Sequence, residues 1–202
     1  MKAHTGVELA VDLTLAQAMV KELENYLLSD RLFYQLVVRT PAGDRQPKLT
    51  PGVLIETLAQ LQWADAELSA DQRQQLDQLE ANFTAIRQQW ASLWRDKVLV
   101  ELKSLLDSWN WFVQDCADWR HRCETEYDSE VWIRARVTML MDEVRDRPEL
   151  AELRQRLAVL DSRLTRVFRP GRFIWDAKLE EHYPKQQFWF LHGRPSIPED
   201  TW

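Results

Sequence analysis

The chain has 202 residues, 45% hydrophobic and 29% charged, a balance that excludes a disordered protein and allows a sizeable core. Its formal net charge of -6 runs against a dedicated nucleic-acid binder, whose phosphate contacts reward a cationic surface. No apolar run approaches the ~18–20 residues of a bilayer span, and the opening MKAHTGVELAVDL lacks a signal peptide's apolar core, so a cytoplasmic protein without membrane association is expected.

In chain order, the first predicted helix opens with Thr14 and Gln17 as a capping pair and carries the stripe Leu15, Met19, Leu23 and Tyr26. Leu32, Phe33, Leu36 and Val37 suggest a short second helix, with a strand as the alternative because of Val37–Val38. Arg39 to Leu49 reads as a loop, after which Thr50 and Pro51 supply an N-cap and a proline at the first helical position. The helix that follows carries Leu54, Leu58, Leu61 and Leu68.

No Gly or Pro lies between Gly52 and Pro148, although the chain has five Gly and eight Pro. Helix interiors exclude both residues, whereas strand-rich folds need them at turns, so this stretch should be almost wholly helical. Ser69 and Gln72 form a second capping pair and open the dominant element. Its apolar stripe passes through Leu76, Leu79, Phe83, Ile86 and Trp90, then takes steps of four to Trp94, Val98 and Leu102. Alternating steps of three and four resume through Leu105, Trp109, Phe112, Cys116, Trp119 and Cys123.

Unbroken from Ala70 to Cys123, this helix would be ~80 Å long, against a radius of gyration of ~16–17 Å for a compact domain of this size. Three resolutions are open: an elongated molecule, a break near Asp107–Ser108 or Asn110, or packing of the projecting part on another chain. Cys116 and Cys123 on one helix would stand ~10 Å apart, which predicts reduced thiols and not a disulfide. Thr125 to Ser129 reads as a joint before a helix from Glu130 to Arg145. Pro148 begins the last long helix, with Leu150, Leu153, Leu157, Leu160, Leu164 and Val167 in a three-four pattern ended by Arg169-Pro170-Gly171. Two short helices are expected near Asp176–His182 and Lys185–Leu191.

The expected fold is therefore all-α: an elongated helical bundle with one very long central helix and an aromatic C-terminal clasp. It is read as a single domain over 1–202, with N-terminal helices and loop at 1–49, a core bundle at 50–168 and the aromatic segment at 169–202. The long helix is expected to pair antiparallel with the Pro148–Phe168 helix.

Apolar residues surround the middle of the long helix, which is then either central in its own chain's core or shared between chains. On the second reading Val98, Leu102, Leu106, Trp109, Trp111 and Val113 are the candidate subunit interface, with Trp109 and Trp111 pointing to opposite sides. Ten Trp, against seven Phe and four Tyr, supply further anchors, although most periodic aromatics fill cores. Trp202 and the run Phe188-Trp189-Phe190 are the least easily placed in an ordinary core.

Arg154, Arg156, Arg163, Arg166, Arg169 and Arg172 stand against Asp161 in an otherwise acidic chain. Arg163, Arg166, Arg169 and Arg172 are candidates for holding phosphate, nucleic acid or an acidic partner, because guanidinium groups bind such anions bidentately. The plainer reading is charge pairing along a helical seam, with acids such as Asp77 and Glu80. Asp118 and His121 form one D-x-x-H, whereas a helical di-metal site needs two such motifs with further carboxylates. No G-x-S-x-G, phosphate-binding loop, dinucleotide loop or H-E-x-x-H occurs, so no catalytic residue, metal ligand or cofactor is assigned.

FRPGRFIWD and YPKQQFWFLHGRP in the C-terminal third, with LTPGVLIETLAQL nearer the middle, resemble segments of a group of uncharacterised bacterial all-helical proteins. The resemblance covers these stretches and the spacing between them. It implies a helical fold and no particular chemistry.

The leading functional expectation is a non-catalytic protein-protein interaction or scaffolding protein, acting as a homodimer and open to other protein partners. The alternatives are a nucleic-acid or anionic-ligand binder using the Arg154–Arg172 segment, with nucleic acid the less favoured, and a metal-dependent helical-bundle enzyme around Asp118 and His121.

Overall fold

A computed structural model describes residues 6–118 and 120–196, without the side chains of residues 6, 7, 117, 118 and 120–122. The chain is all-α, with a few strands of two or three residues, and it divides into two compact units, His4–Glu101 and Leu102–Trp202.

The first unit holds α1 (Gly6–Leu28), α2 (Pro51–Trp63), α3 (Ala70–Gln89) and the start of α4 (Ala91–Asp118). Gln17 bonds Gln75, the Trp90 indole N–H donates to Glu24, and Lys97 donates to the Ser29 carbonyl, so α1 runs parallel to α3 and the first turns of α4. Gln62 on Glu80 and Thr50 on Glu101 set α2 antiparallel to them. Leu13, Ala16, Met19, Val20, Leu23 and Leu27 form the buried face of α1, against Leu54, Leu58 and Leu61 of α2.

Both expected N-caps of α2 and α3 are present. Thr50 accepts from the Val53 amide, and Ser69 and Gln72 form a reciprocal capping box. Thr14 is no cap: α1 begins earlier, and the Thr14 hydroxyl bonds back to the Ala10 carbonyl within the helix.

Residues 34–49 form an interrupted hairpin: the strand alternative holds at Val38 in place of the short helix, and strands replace the expected loop. Here β1 (Tyr34–Gln35) pairs with β4 (Lys48–Leu49), and β2 (Val38–Thr40) pairs with β3 (Gly43–Arg45). Burial explains the outcome, since Leu36, Val38 and Thr40 point inward while Gln35, Val37 and Arg39 point out, a period of two. Pro41–Ala42 make the turn, and Gly43 takes the φ of +96° that follows it.

The long helix is broken at Trp90 (φ -111°, ψ 33°), where the apolar spacing changes to steps of four. Asp107, Ser108 and Asn110 lie inside α4 instead: Ser108 bonds the Ser104 carbonyl and Asp107 pairs with Arg156, so their polar groups are satisfied without a break.

In the second unit, α5 (Arg120–Glu143) runs back against α4, and α6 (Leu150–Thr165) runs back against α5. Phe112 meets Tyr127 at 6.2 Å, and Arg134 meets Asp161, which fixes both antiparallel pairs. Two reversals make α4 and α6 parallel, correcting the expected antiparallel pairing. The first reversal lies at the α4–α5 junction, so Thr125 and Ser129 fall inside α5 and form no joint.

That reversal also brings the cysteines together. Cys116 and Cys123 form a disulfide with Cα atoms 4.6 Å apart, where one continuous helix would have kept them separate. Because such bonds persist chiefly in oxidising compartments, the cysteines lend no support to a cytoplasmic setting. No helix among the described residues is long and apolar enough to cross a membrane.

The C-terminal segment returns to α5. β5 (Phe168–Pro170) pairs with β6 (Gly193–Pro195), the Tyr127 hydroxyl donates to the Phe190 carbonyl at 2.6 Å, and Arg194 forms a bidentate pair with Asp128. A Cβ on Gly193 would collide with the Arg169 carbonyl and the Phe168 ring, so only glycine allows this strand pairing. Asp176 caps the 3-10 turn Ala177–His182, and a second 3-10 turn covers Trp189–Leu191. Phe188 and Phe190 are buried and Trp189 is half-buried, with Trp189 edge-on to Phe168 at 5.1 Å. Trp202 lies outside the described residues.

Candidate functional site

The Arg156–Asp107 ion pair, 2.5 Å long, sets the register between α6 and α4. One turn further along each helix stand Trp111, 68% exposed, and Val159, 49% exposed. Another turn on, the helices flank a groove of 420 Å³ lined by Val113, Gln114 and Cys116 of α4 and by Arg163, Leu164, Arg166 and Val167 at the end of α6. The groove therefore lies beyond the ion pair along both helices; its lining includes two guanidinium groups and one amide, while its Val113, Cys116 and Leu164 are only 3, 4 and 1% exposed.

Among the described residues, Arg163 and Arg166 have no carboxylate partner, whereas three other arginines of this unit are engaged: Arg134 with Asp161, Arg156 with Asp107 and Arg194 with Asp128. Their separation of three residues puts them on one helix face, about 5–6 Å apart at Cβ. Arg169 and Arg172 are not part of this groove: Arg169 lies in β5, opposite Arg194, and Arg172 follows that strand, both exposed. Arg154 is exposed on α6. The six arginines of the basic segment thus split into ion-paired Arg156, exposed Arg154, two groove arginines and two arginines at or after a strand.

The candidate interface residues separate in the same way. Val98, Leu102, Leu106 and Trp109 are 0% exposed and Val113 is 3% exposed, all covered by their own chain. Trp111 alone of the six is open to a second molecule, and it does point away from Trp109. A side chain buried in the monomer offers no surface to a second copy, so a homodimer interface built on those five has no area to use.

Other polar groups complete the core. The Glu101 carboxylate, 2% exposed, accepts from the Thr50 hydroxyl at 2.6 Å and the Gly52 amide at 2.7 Å, placing a negative charge at the N-terminus of α2. Arg134, 5% exposed, holds Asp161 through two bonds of 2.9 and 2.8 Å, donates to Thr138, and lies 4.4 Å over the Phe190 ring. His192 is buried beside Phe173, with Nε2 3.3 Å from the Tyr183 carbonyl. Sequence reasoning missed these groups. A lone acid between Val100 and Leu102 was the available signal for Glu101.

Burial raises the Tyr127 phenol well above its ordinary value of 10.0; Arg134 opposes the shift, while Asp161 and Asp128 add to it. Burial likewise raises Tyr26, with the Glu101 charge adding to it. Neither phenol ionises in the folded protein near neutral pH, so both serve packing and hydrogen bonding.

Chemically, the groove offers two fixed cations, one amide and apolar walls. Among the described residues its lining includes no free thiol, carboxylate, imidazole or hydroxyl. Among the described residues no three His, Cys, Asp or Glu side chains converge to hold a metal ion. The Asp118 and His121 side chains lie outside those described. The chain matches no protein-family model, no curated protein and no solved structure.

Proposed function

We propose that this protein is a non-catalytic binding protein whose recognition surface is the α4–α6 face, and that its ligand presents an anionic group to Arg163 and Arg166. The observation that carries the reading is the pair of exposed guanidinium groups, Arg163 and Arg166, that line one groove between α4 and α6 without a carboxylate partner among the described residues. Arginine is among the residues that dominate binding hot spots, and its planar fork suits bidentate contact with an anionic group. Among the described residues the groove lining offers cations and an amide, groups that suit holding an anion.

Amide and guanidinium NMR spectra recorded with citrate at low ionic strength test the reading. Shifts concentrated at Gln114, Arg163 and Arg166, and abolished by Arg163→Glu/Arg166→Glu, are expected. Shifts spread evenly over all surface arginines, or unchanged by the double substitution, would refute it.

A further inference from the structure

We infer that the groove is redox-gated: the Cys116–Cys123 bond holds the α4 wall in place beside Arg163 and Arg166, and its reduction weakens anion binding there. The inference rests on the anion-binding reading above and adds its regulation. Cys116 is both a lining residue of the groove and one end of the disulfide, and the lining residues Val113 and Gln114 lie within the same turn of α4. The bond therefore ties the α4 side of the groove to the start of α5, while the two guanidinium groups stand opposite, at the end of α6.

A dithiol reductant balances the reaction. One of its thiolates attacks a cysteine sulfur and forms a mixed disulfide, and its second thiol displaces that bond. Cys116 and Cys123 are left as thiols, and the reductant closes its own disulfide. The freed sulfurs then part from bonding to van der Waals separation. Cys116 is 4% exposed and Cys123 0%, so close packing leaves the side chains little slack and the backbone takes up part of the shift. On the α5 side Tyr127, one turn beyond Cys123, is held by its hydroxyl on the Phe190 carbonyl. On the α4 side Cys116 lies two residues from the helix end, where the last carbonyls have no helical partner. The last turn of α4 is therefore the part that yields, and it carries Gln114 away from the arginines. Arg163 and Arg166 remain, so binding weakens without vanishing.

Linkage makes the effect reciprocal: the factor that reduction takes from anion affinity is the factor that bound anion adds to the bond's resistance to reduction. Citrate titrations followed at the Arg163 and Arg166 guanidinium signals measure the first side, on oxidised protein, on protein reduced with dithiothreitol and on Cys116→Ala/Cys123→Ala. Redox equilibria in dithiothreitol mixtures measure the second, with citrate saturating both forms or chloride at matched ionic strength. Reduced protein and the alanine variant should bind about fivefold more weakly or worse, and citrate should then lower the midpoint potential by about 21 mV or more. Arg163→Glu/Arg166→Glu should abolish that shift. Affinities within about twofold across the redox states, tighter binding to the reduced form, or a midpoint indifferent to citrate would overturn the gate while anion binding stands. Reduction that erases the helical circular-dichroism signal would overturn it too, because the bond would then hold the fold and not the groove. Citrate silent at both arginines of the oxidised protein would defeat the anion reading itself, and the gate with it.

Discussion

Replacing Asp161 with Asn should destabilise the second unit more than replacing its partner Arg134 with Met. The two side chains form a bidentate pair of 2.9 and 2.8 Å, but their surroundings differ: the Arg134 side chain is 7% exposed and that of Asp161 21%. Asp161→Asn leaves a guanidinium charge among apolar groups and turns an amide N–H toward its donors. Breaking a buried pair this way costs about 3–5 kcal/mol, and the partial exposure of Asp161 puts this case near 3 kcal/mol. If the chain unfolds cooperatively, Tm should drop by about 6–12 °C.

Arg134→Met removes the cation and leaves Asp161 within reach of water, so its cost should be smaller, about 1–2 kcal/mol from the lost hydrogen bonds and the contact with Phe190. Arg134→Met/Asp161→Leu removes both charges and should recover most of the Asp161→Asn loss. Urea and thermal melts of the three variants, followed by circular dichroism, give the comparison. Asp161→Asn within about 0.5 kcal/mol of the parent, or a double variant as unstable as it, would refute the assignment of a buried, mutually dependent pair.

The Cys116–Cys123 bond, spanning a sequence separation of 7, should contribute about 2.4 kcal/mol by the loop-entropy model, measured as the loss on Cys116→Ala/Cys123→Ala. Two reactive thiols in protein denatured without reductant would disprove the bond. Glu101→Ala should cost about 2–4 kcal/mol and speed exchange of the Gly52 amide, since it strips a buried N–H and the Thr50 hydroxyl of their acceptor; unchanged Gly52 protection would count against that role. Stability should fall as pH rises above about 10. Below that value both states keep the Tyr26 and Tyr127 protons, and above it only the unfolded chain releases them, at up to ~1.4 kcal/mol per pH unit for each phenol. Tyr127→Phe should flatten that slope in alkaline melts, and a slope equal to the parent's would contradict the buried phenol.

Local chemistry was legible where one short-range rule decided the outcome. Ser69 with Gln72, and Thr50 before Pro51, are capping patterns that nothing distant overrides, and the leucine stripe of α6 buries all five of its leucines. Thr14 with Gln17 has the same pattern yet lies within a helix, because α1 continues N-terminal to it. At Leu36–Thr40 the period of two was present, but Val37 filled an outward position and hid it.

The cysteines and the direction of α6 depended on where the chain reverses, which spacing along an apolar stripe does not encode; at Trp90 the change to steps of four was the available signal. The site was half legible for a related reason. The arginines stood out as a run, but that Asp107 would take up Arg156, and that Asp161 would be taken by Arg134 and not by an arginine of the run, depended on the register of three helices. Apolar encirclement marked Trp109 and Trp111 alike, and only the packing distinguished the core ring from the open one.

The cross-link between Cys116 and Cys123 also shapes the denatured ensemble. As long as it is oxidised, heat or urea leaves the chain pinned at one bend, and residues on either side, such as Phe112 and Tyr127, begin their conformational search already near each other. An oxidised chain should therefore begin the α4–α5 pairing with its turn already closed, and the same chain in a reducing medium must first close that short loop itself.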